Sequence, residues 1–522
     1  MKRDAQGLVR KSRASASCAL IAALLAFAVS AHAEAWFDAG DSAFRHDLQY
    51  LVDSGVIDIP LTAWPIPSVD VARALESIDD SASLTVGQRA ALAGVKRRLE
   101  VFERDSTRFT AHASAAGNPI ILRTFEDTPR EDGEIGGSVS GANPRFSGRL
   151  SVAWTANPHD DLAWRPDGTY GSMRLGNWLL TVGELDRWWG PGWDGSLLLS
   201  SNARPVPAVS IDRESSMPFE TKWLSWLGSW RFSMFMGRME DERQDRDHPW
   251  LLGTRFSFRP FANVKIGSVH PFRGFEFAAE RTAQWCAEGL PCDLNAFRHV
   301  LTGKDSAGVV VSTQDEPGNQ VGGYTLRYAS PAKWFPVAIY HQKTGESGDL
   351  SGYQVRLGRV MDLYGLEAWG GLSNGLTWRA HAEAAYTTCG DRSGGDSVVF
   401  DCAYTNHLFP VEGYRYRGRP LGDSIDGDGR SYTFGLQLAT PRSWSASVLL
   451  RSAELNRGGV VPDPINTVAP EPVDLRNVEI TLRVPMVSGD LMLGAGYDRT
   501  SDQLTDATDS KVRGYLEYSH RF

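Results

Sequence analysis

The chain of 522 residues ends in the stretch VRGYLEYSHRF, residues 512–522, which decides how the rest of it is interpreted. Its even positions, from Val512 to Phe522, are mainly apolar, whereas its odd positions include Arg513 and Glu517. Side chains of an extended chain point alternately to opposite sides, so this pattern predicts a β-strand with one apolar and one polar face.

The same period of two recurs upstream as far as about residue 108. The clearest examples are residues 146–154, 432–439 and 478–484, in which apolar residues alternate with Arg, Ser, Thr or Glu. A single run of this kind suits any antiparallel sheet that is buried on one face. The recurrence predicts many antiparallel strands over residues 107–522.

Three features favour a membrane barrel over a soluble sandwich. Charged residues recur on the polar face of many strands, and aromatic residues such as Trp154, Tyr324 and Tyr497 lie near strand ends, where an interfacial girdle would be. A last strand that ends on Phe is typical of bacterial outer-membrane barrels. Strands in lipid must close into a cylinder, because an open edge would leave backbone groups unpaired. At about ten residues per strand, roughly 16 to 20 strands fit.

Residues 34–106 have a helical period instead. Phe44, Leu48 and Leu51 fall on one stripe, Ser68 stands where an N-cap is expected, and Thr85 with Gln88 forms a capping box. Such a small helical unit has little core of its own, so we expect it to dock on something larger.

Residues 1–33 predict a secretory signal peptide. A basic segment precedes the apolar run Cys18–Val29, and Ala31-His32-Ala33 is an A-x-A cleavage site. The full chain has a net charge of -9 and this segment one of +4, so the mature chain carries -13. An acidic chain of this kind argues against nucleic acid as a partner.

Four cysteines follow the signal, in two near pairs. Cys286 precedes Cys292 by six residues and Cys389 precedes Cys402 by thirteen. An exported chain meets an oxidising compartment, so two small-loop disulfides are predicted. The alternative, a zinc site of four cysteines, lacks any C-x2-C spacing.

The stretch DRWWGPGWDG, residues 186–195, is the first candidate site. Pro191 and three glycines exclude a regular helix. The indoles could stack on sugar rings while Asp186, Arg187 and Asp194 bond hydroxyl groups. The alternative, which we favour, is a plug in the barrel lumen with Asp186 and Arg187 in internal ion pairs. The candidate residues of this stretch are Arg187, Trp188, Trp189 and Trp193.

The stretch YRYRGR, residues 414–419, is the second candidate. It alternates aromatic and basic residues: Tyr414, Arg415, Tyr416, Arg417 and Arg419. Guanidinium groups can form bidentate ion pairs with the carboxylates of an anionic polysaccharide, while tyrosines stack on its rings. The alternative is a ladder of arginines on the lumen wall, paired with carboxylates of the strands.

No catalytic motif, cofactor site or metal site is predicted. Asp423, Asp426 and Asp428 suggest calcium, but they lack the EF-hand spacing, so a solvated turn is favoured. Neither G-x-S-x-G nor H-E-x-x-H occurs. We therefore expect a protein that is not an enzyme.

Several segments resemble the capsule assembly Wzi family, which comprises outer-membrane lectins of Gram-negative bacteria. They lie within residues 45–65, 175–193, 199–208 and 413–419. The resemblance implies an all-β transmembrane barrel of about 18 antiparallel strands above a small periplasmic α-helical bundle, with loops and helices closing the lumen.

The implied function is to bind secreted capsular polysaccharide or exopolysaccharide and to attach it to the cell surface. The expected partners are this polymer together with the lipid and lipopolysaccharide of the outer membrane, and the expected oligomeric state is a monomer. An outer-membrane porin or transport channel is the alternative. An outer-membrane hydrolase, a third possibility, lacks a nucleophile in a suitable context.

Overall fold

The computed structural model describes nine stretches of the chain: residues 34–79, 83–104, 107–267, 269–302, 317–347, 357–390, 398–406, 408–459 and 466–522. The predicted signal peptide, residues 1–33, lies outside them. Within the described stretches, no helix combines the length and apolar character needed to cross a membrane.

Eighteen long antiparallel strands form a closed barrel, which confirms the predicted fold class. The first nine are β1 Thr107–Gly117, β2 Gly133–Ala142, β3 Phe146–Ala156, β4 Tyr170–Leu175, β5 Trp178–Gly183, β6 Ala208–Arg213, β7 Trp230–Arg238, β8 Trp250–Phe258 and β9 Phe275–Trp285. The others are β10 Gly318–Ala329, β11 Val337–Ser347, β12 Leu357–Gly371, β13 Thr377–Gly390, β14 Arg430–Ala439, β15 Ser445–Leu455, β16 Val473–Met486, β17 Gly489–Asp502 and β18 Thr508–Arg521. Two-residue strands at Trp164–Arg165 and Val398–Val399 add to the same sheet.

The barrel closes where the last strand meets the first. Gly514 lies opposite Gly117 and Arg521 opposite Thr110, and the Phe522 amide donates to the Phe109 carbonyl at 3.0 Å. Closure leaves neither strand with an unpaired edge along this seam.

The apolar face of each strand points outward. Val152, Ile480 and Val512 are 51%, 52% and 74% exposed, whereas Glu479 and Arg513 on the polar faces are 8% and 4% exposed. This is the reverse of a soluble sheet protein, in which the apolar face is the buried one. The outer wall therefore suits lipid, and the polar faces line the lumen.

The two ends of the barrel differ. The near end carries Thr107, Phe522 and mostly short connections such as residues 143–145, 440–444 and 487–488, together with two longer ones, residues 214–229 and 259–274. The far end carries longer connections, including residues 118–132, 184–207, 239–249 and 408–429.

Three helices lie at the near end: α1 Ser42–Asp53, α2 Ser68–Glu76 and α3 Val86–Arg104. The predicted capping box is confirmed, because Thr85 and Gln88 exchange bonds of 2.8 and 3.2 Å. The predicted Ser68 cap is wrong. Ser68 is the first residue of α2, and its hydroxyl donates to the Glu34 carbonyl instead of capping the helix. A fourth helix, α4 Leu294–Thr302, belongs to a far-end loop.

Helix α1 is inserted into the lumen, so its polar side is buried as well as its apolar stripe. Asp53 at its C-terminus meets Arg327 of β10 at 2.7 Å and Arg379 of β13 at 2.9 Å. His46 bonds Thr377 at 2.9 Å, and burial lowers the pKa of His46 to about 3. Ion pairs and hydrogen bonds thus fasten the helix to the wall on which we expected it to dock.

Both predicted disulfides are present. Cys286 is joined to Cys292 beyond β9, and Cys389 of β13 is joined to Cys402. Both cross-links lie at the far end, where the long loops emerge.

Candidate functional site

The Trp-rich stretch forms part of a plug inside the lumen. Trp188 and Trp189 pair with Trp64 and Ala63 in a short antiparallel ladder, and the Gly190 amide donates to the Thr62 carbonyl at 2.9 Å. Chain from the near-end helical region and chain from the far-end loop therefore meet at mid-barrel.

Strand carboxylates hold this plug in place. Glu383 of β13 accepts the amides of Trp193, Asp194 and Gly195, the last two at 3.2 and 3.3 Å. The Asp194 carboxylate pairs with Arg451 of β15. The sharp turn at Gly190–Gly192 presents these amides to the wall, which explains the Pro and Gly content of the stretch.

The indole faces are covered by protein. Trp188, Trp189 and Trp193 are 1%, 2% and 5% exposed. The Arg45 guanidinium lies 4.2 Å from the Trp193 ring and donates to the Pro191 carbonyl at 2.7 Å. The three rings lie in a plug inside the lumen, as in the favoured interpretation of the sequence. Stacking of sugars on these rings stays a prediction.

The flanking charges of the stretch follow the prediction only in part. Asp186 pairs with Arg130 at 3.3 Å, and burial raises the pKa of Asp186 to about 6. Arg187 has no carboxylate partner among the described residues, and its guanidinium lies 4.3 Å over the Phe235 ring instead.

The second candidate stretch divides into a buried and an accessible half. Tyr414 donates to the Leu198 carbonyl at 3.0 Å, and Arg415 pairs with Asp426 at 2.6 Å, both inside the lumen. Arg415 thus has a carboxylate partner, but that partner belongs to a loop and not to a strand. The predicted solvated turn at Asp423, Asp426 and Asp428 is wrong, because all three are buried.

The accessible half is the tip of a small hairpin. Arg415–Tyr416 pairs with Arg419–Pro420, and Arg417 and Gly418 between them have φ of 50° and 71°. Positive φ at both central residues is the geometry of a tight two-residue turn, which Gly418 accommodates without strain. The turn places Arg417 and Arg419 at the far-end surface, both half-buried.

These two arginines line a cleft that four separate loops enclose. Its other lining residues are Arg123, Arg130, Glu131, His159, Asp160, Asn202, Arg204 and Tyr416. The sequence interpretation missed these residues, except Tyr416. Asn202 and Arg204 lie in the segment 199–208 that carries the family resemblance, but nothing in their spacing points to a shared site.

Most of the positive charge in the cleft is neutralised locally. Arg204 bonds Asp167 at 2.6 Å and Asp160 at 2.5 Å. Arg123 bonds Asp127 at 2.7 Å. These pairs fix the shape of the cleft walls and leave little charge for a ligand.

Arg417 and Arg419 differ from their neighbours. Within the described stretches, neither has a carboxylate in ion-pair range: Arg417 lies 5.3 Å over the Tyr416 ring, and Arg419 donates to the Ile121 carbonyl at 3.4 Å. Burial, and then the charge of Arg130, lowers the pKa of Arg419. Tyr416 itself is buried beneath Arg417. The cleft therefore offers two adjacent cations to an acidic ligand.

No group of three or more His, Cys, Asp or Glu side chains suited to a metal ion occurs in the part of the chain that the structure describes.

Comparisons with known proteins give the family of the chain and a solved structure with a similar fold. A family model described as "Capsule assembly protein Wzi" matches residues 103–512. A Klebsiella pneumoniae protein, described as an uncharacterized 55.8 kDa protein in the cps region, is 28% identical over 445 residues, which are 84% of this chain and 81% of the relative. Escherichia coli Wzi, described as an outer-membrane protein involved in group 1 capsule assembly and a carbohydrate-binding β-barrel, has a TM-score of 0.78 at 24% identity. That match covers 93% of this chain and 99% of the other, and it shows the same fold.

Proposed function

Because this chain belongs to the capsule assembly Wzi family, we propose that it binds capsular polysaccharide or exopolysaccharide and attaches the polymer to the cell surface. It does so as an outer-membrane barrel and a monomer, by binding without catalysis. The carbohydrate binding described for the E. coli relative supports this proposal.

The far end faces the exterior in this proposal, and the helices face the periplasm. Outer-membrane barrels have short periplasmic turns and longer external loops, and most connections here differ in the same way, although residues 214–229 and 259–274 are longer near-end connections. The outward apolar faces would then lie in lipid. The cleft with Arg417 and Arg419 opens on the side where secreted polymer would be met.

The observation that carries the proposal is the pair of uncompensated arginines in the far-end cleft. The chain as a whole is acidic, so a polyanion would be repelled over most of the surface and held only where local cations exceed acids. A repeating polymer can bind many barrels at once, so weak contacts at each cleft add up to firm attachment.

The transport-channel alternative receives less support. The described plug residues from 184–207 and 408–429 fill the lumen between the helices and the far-end cleft, and many are fully buried. A substrate would have to displace these packed residues to pass.

Retention on the producing strain's own polysaccharide tests the proposal. The detergent-solubilised full chain is compared with Arg417→Ala/Arg419→Ala and with Arg442→Ala, an exposed arginine in a near-end turn. We expect the double variant to be retained at least about tenfold more weakly, because two charge-assisted contacts are lost, and the Arg442 variant to be retained like the wild type.

Two results would count against the proposal in different ways. If the double variant is retained as well as the wild type, the cleft is not the polysaccharide-binding site. No retention of the wild type, together with an intact surface layer in a deletion strain, removes the function itself.

A further inference from the structure

A pair of arginines on the outer wall of the barrel points to a second ligand. Arg476 of β16 and Arg499 of β17 lie directly opposite each other in the strand register. Both side chains point outward and are exposed. Side chains opposite each other across an antiparallel pair have Cβ atoms about 4.5–5.5 Å apart, so both guanidinium groups can reach one ligand.

The two arginines stand at the far edge of the apolar belt. One outward-facing position closer to the near end, Val478 lies opposite Tyr497, and both are exposed on the wall. The guanidinium groups therefore sit where the lipid-facing surface gives way to the level of lipid headgroups.

Neither charge is compensated by the protein. No described residue forms an ion pair with Arg476 or Arg499. The nearest acid on the same face of β16, Asp474, accepts a bond from Gln503 at 2.8 Å instead. Like charges directly opposite each other destabilise a sheet, and an anion bound between the two arginines would offset the repulsion.

The neighbouring strands supply hydroxyl groups at the same level. Ser452 of β15 lies opposite Arg476, and Ser510 of β18 lies opposite Arg499. Tyr497 donates to Ser510 at 3.0 Å, so the Ser510 hydroxyl still has its own hydrogen to donate. Two guanidinium forks match the several oxygens of a phosphate group better than a single carboxylate. The serines on either side, about 14 Å apart across three strand spacings, can donate to other oxygens of the same headgroup.

A compensated pair on the same wall shows the contrast. On β14 and β15, Arg430 lies opposite Glu454 and pairs with it. Arg430 is therefore neutralised by the acid directly opposite it, whereas the residues directly opposite Arg476 and Arg499 are serines and each other.

We propose that Arg476 and Arg499 bind a phosphate group of lipopolysaccharide on the outer wall of the barrel. The site needs the membrane placement of the proposed function, because only the far-end leaflet would present this lipid. It does not involve the polysaccharide cleft.

Lipid binding to the full chain in detergent tests the site. Bisphosphorylated lipid A is titrated into the wild type, Arg476→Gln/Arg499→Gln and Arg430→Gln, and bound lipid is counted by native mass spectrometry. We expect at least about tenfold weaker binding by the double variant and unchanged binding by Arg430→Gln, in which Glu454 keeps Arg457 at 3.0 Å. Dephosphorylated lipid A should bind the wild type as weakly as lipid A binds the double variant.

Several outcomes would overturn the assignment. One is that the double variant binds lipid A as well as the wild type does. Another is that Arg430→Gln loses as much binding as the double variant. A third is that the wild type binds dephosphorylated lipid A as well as it binds lipid A. Displacement of lipid A by phosphatidylglycerol or by inorganic phosphate at equal concentration would show a general anion site instead. The double variant keeps Arg417 and Arg419, so its polysaccharide retention should equal that of the wild type. A failure of polysaccharide binding with lipid A binding intact would remove only the proposed function.

Discussion

At the scale of the residue, the molecule is organised by where its arginines find carboxylates. Arg259, Arg379 and Arg415 are each at most 2% exposed, and each meets an acidic side chain. A buried charge without a partner costs free energy, so these arginines can be buried inside the barrel because each is paired with a carboxylate. Arg417 and Arg419 have no such partner and are also partly exposed at the far-end surface, and these two properties together mark the candidate site.

The Arg415–Asp426 pair should hold the far-end plug. Arg415→Ala leaves a buried carboxylate without its cation, and we expect a loss of about 3–5 kcal/mol in local stability. Limited proteolysis within residues 408–429 should then become faster. Arg417→Ala should leave the cleavage rate unchanged, and Arg415→Met/Asp426→Leu should restore part of the protection. Unaltered cleavage of Arg415→Ala would contradict this role.

At the scale of the element, α1 shows how an amphipathic helix can be buried on both sides. Its apolar stripe meets α3, and its polar side meets the wall through Asp53 and His46. Two of its acids are in opposite situations. Burial raises the pKa of Asp47 to about 7, against the effect of Arg98. Burial would also raise the pKa of Asp41, but Arg98 and Arg483 outweigh it and lower the pKa to about 2.

The two acids should give opposite pH dependences. Between about pH 4 and 7 the carboxyl group of Asp47 is protonated in the folded state and ionised in the unfolded state. The free energy of unfolding therefore falls as the pH rises through that range. Folded Asp41 loses its proton more readily than the unfolded chain, so its contribution is present above about pH 4 and is lost as the pH falls towards 2.

Thermal unfolding in detergent, measured across the pH range, tests the opposite pH dependences expected for Asp47 and Asp41. Asp47→Asn should flatten the decline between about pH 4 and 7. Asp41→Asn should lower the unfolding temperature at pH 7, because it removes the ion pair with Arg98 at 2.9 Å, while the amide oxygen can still cap the helix at the Phe44 amide. Identical pH profiles for both variants would refute the assignment.

At the scale of the whole molecule, the barrel is a wall around a packed interior. The register places Ala208 opposite Gly183, so residues 184–207 leave the wall and return to it at adjacent strands. This segment can therefore be replaced by a short turn without straining the closed sheet.

Planar-bilayer recordings separate a tether from a channel. We expect no steady conductance from the full chain, because packed side chains occupy the lumen. A variant with residues 184–207 replaced by a four-residue Gly–Asn turn should conduct, because the Trp-rich part of the plug is gone. A steady open pore in the wild type would favour transport and count against the proposed tether.

The sequence alone determined the local features of this protein. The alternation at 512–522 and 478–484 predicts strands, since side chains of an extended chain alternate whatever surrounds them. The Thr85–Gln88 capping box and the disulfide between Cys286 and Cys292 involve partners a few residues apart, and both are present. The strand number could be estimated from length, because membrane strands have a narrow range of lengths.

Only the tertiary structure decided which charges are paired and which residues form the cleft. Arg123, His159, Asn202 and Arg417 meet because barrel closure brings loops from distant parts of the chain to one rim. Sequence spacing carries no information about such a meeting. For the same reason the sequence could not separate buried Arg415 from accessible Arg417, two positions apart in one motif. Burial and charge compensation depend on what the rest of the fold places around a side chain.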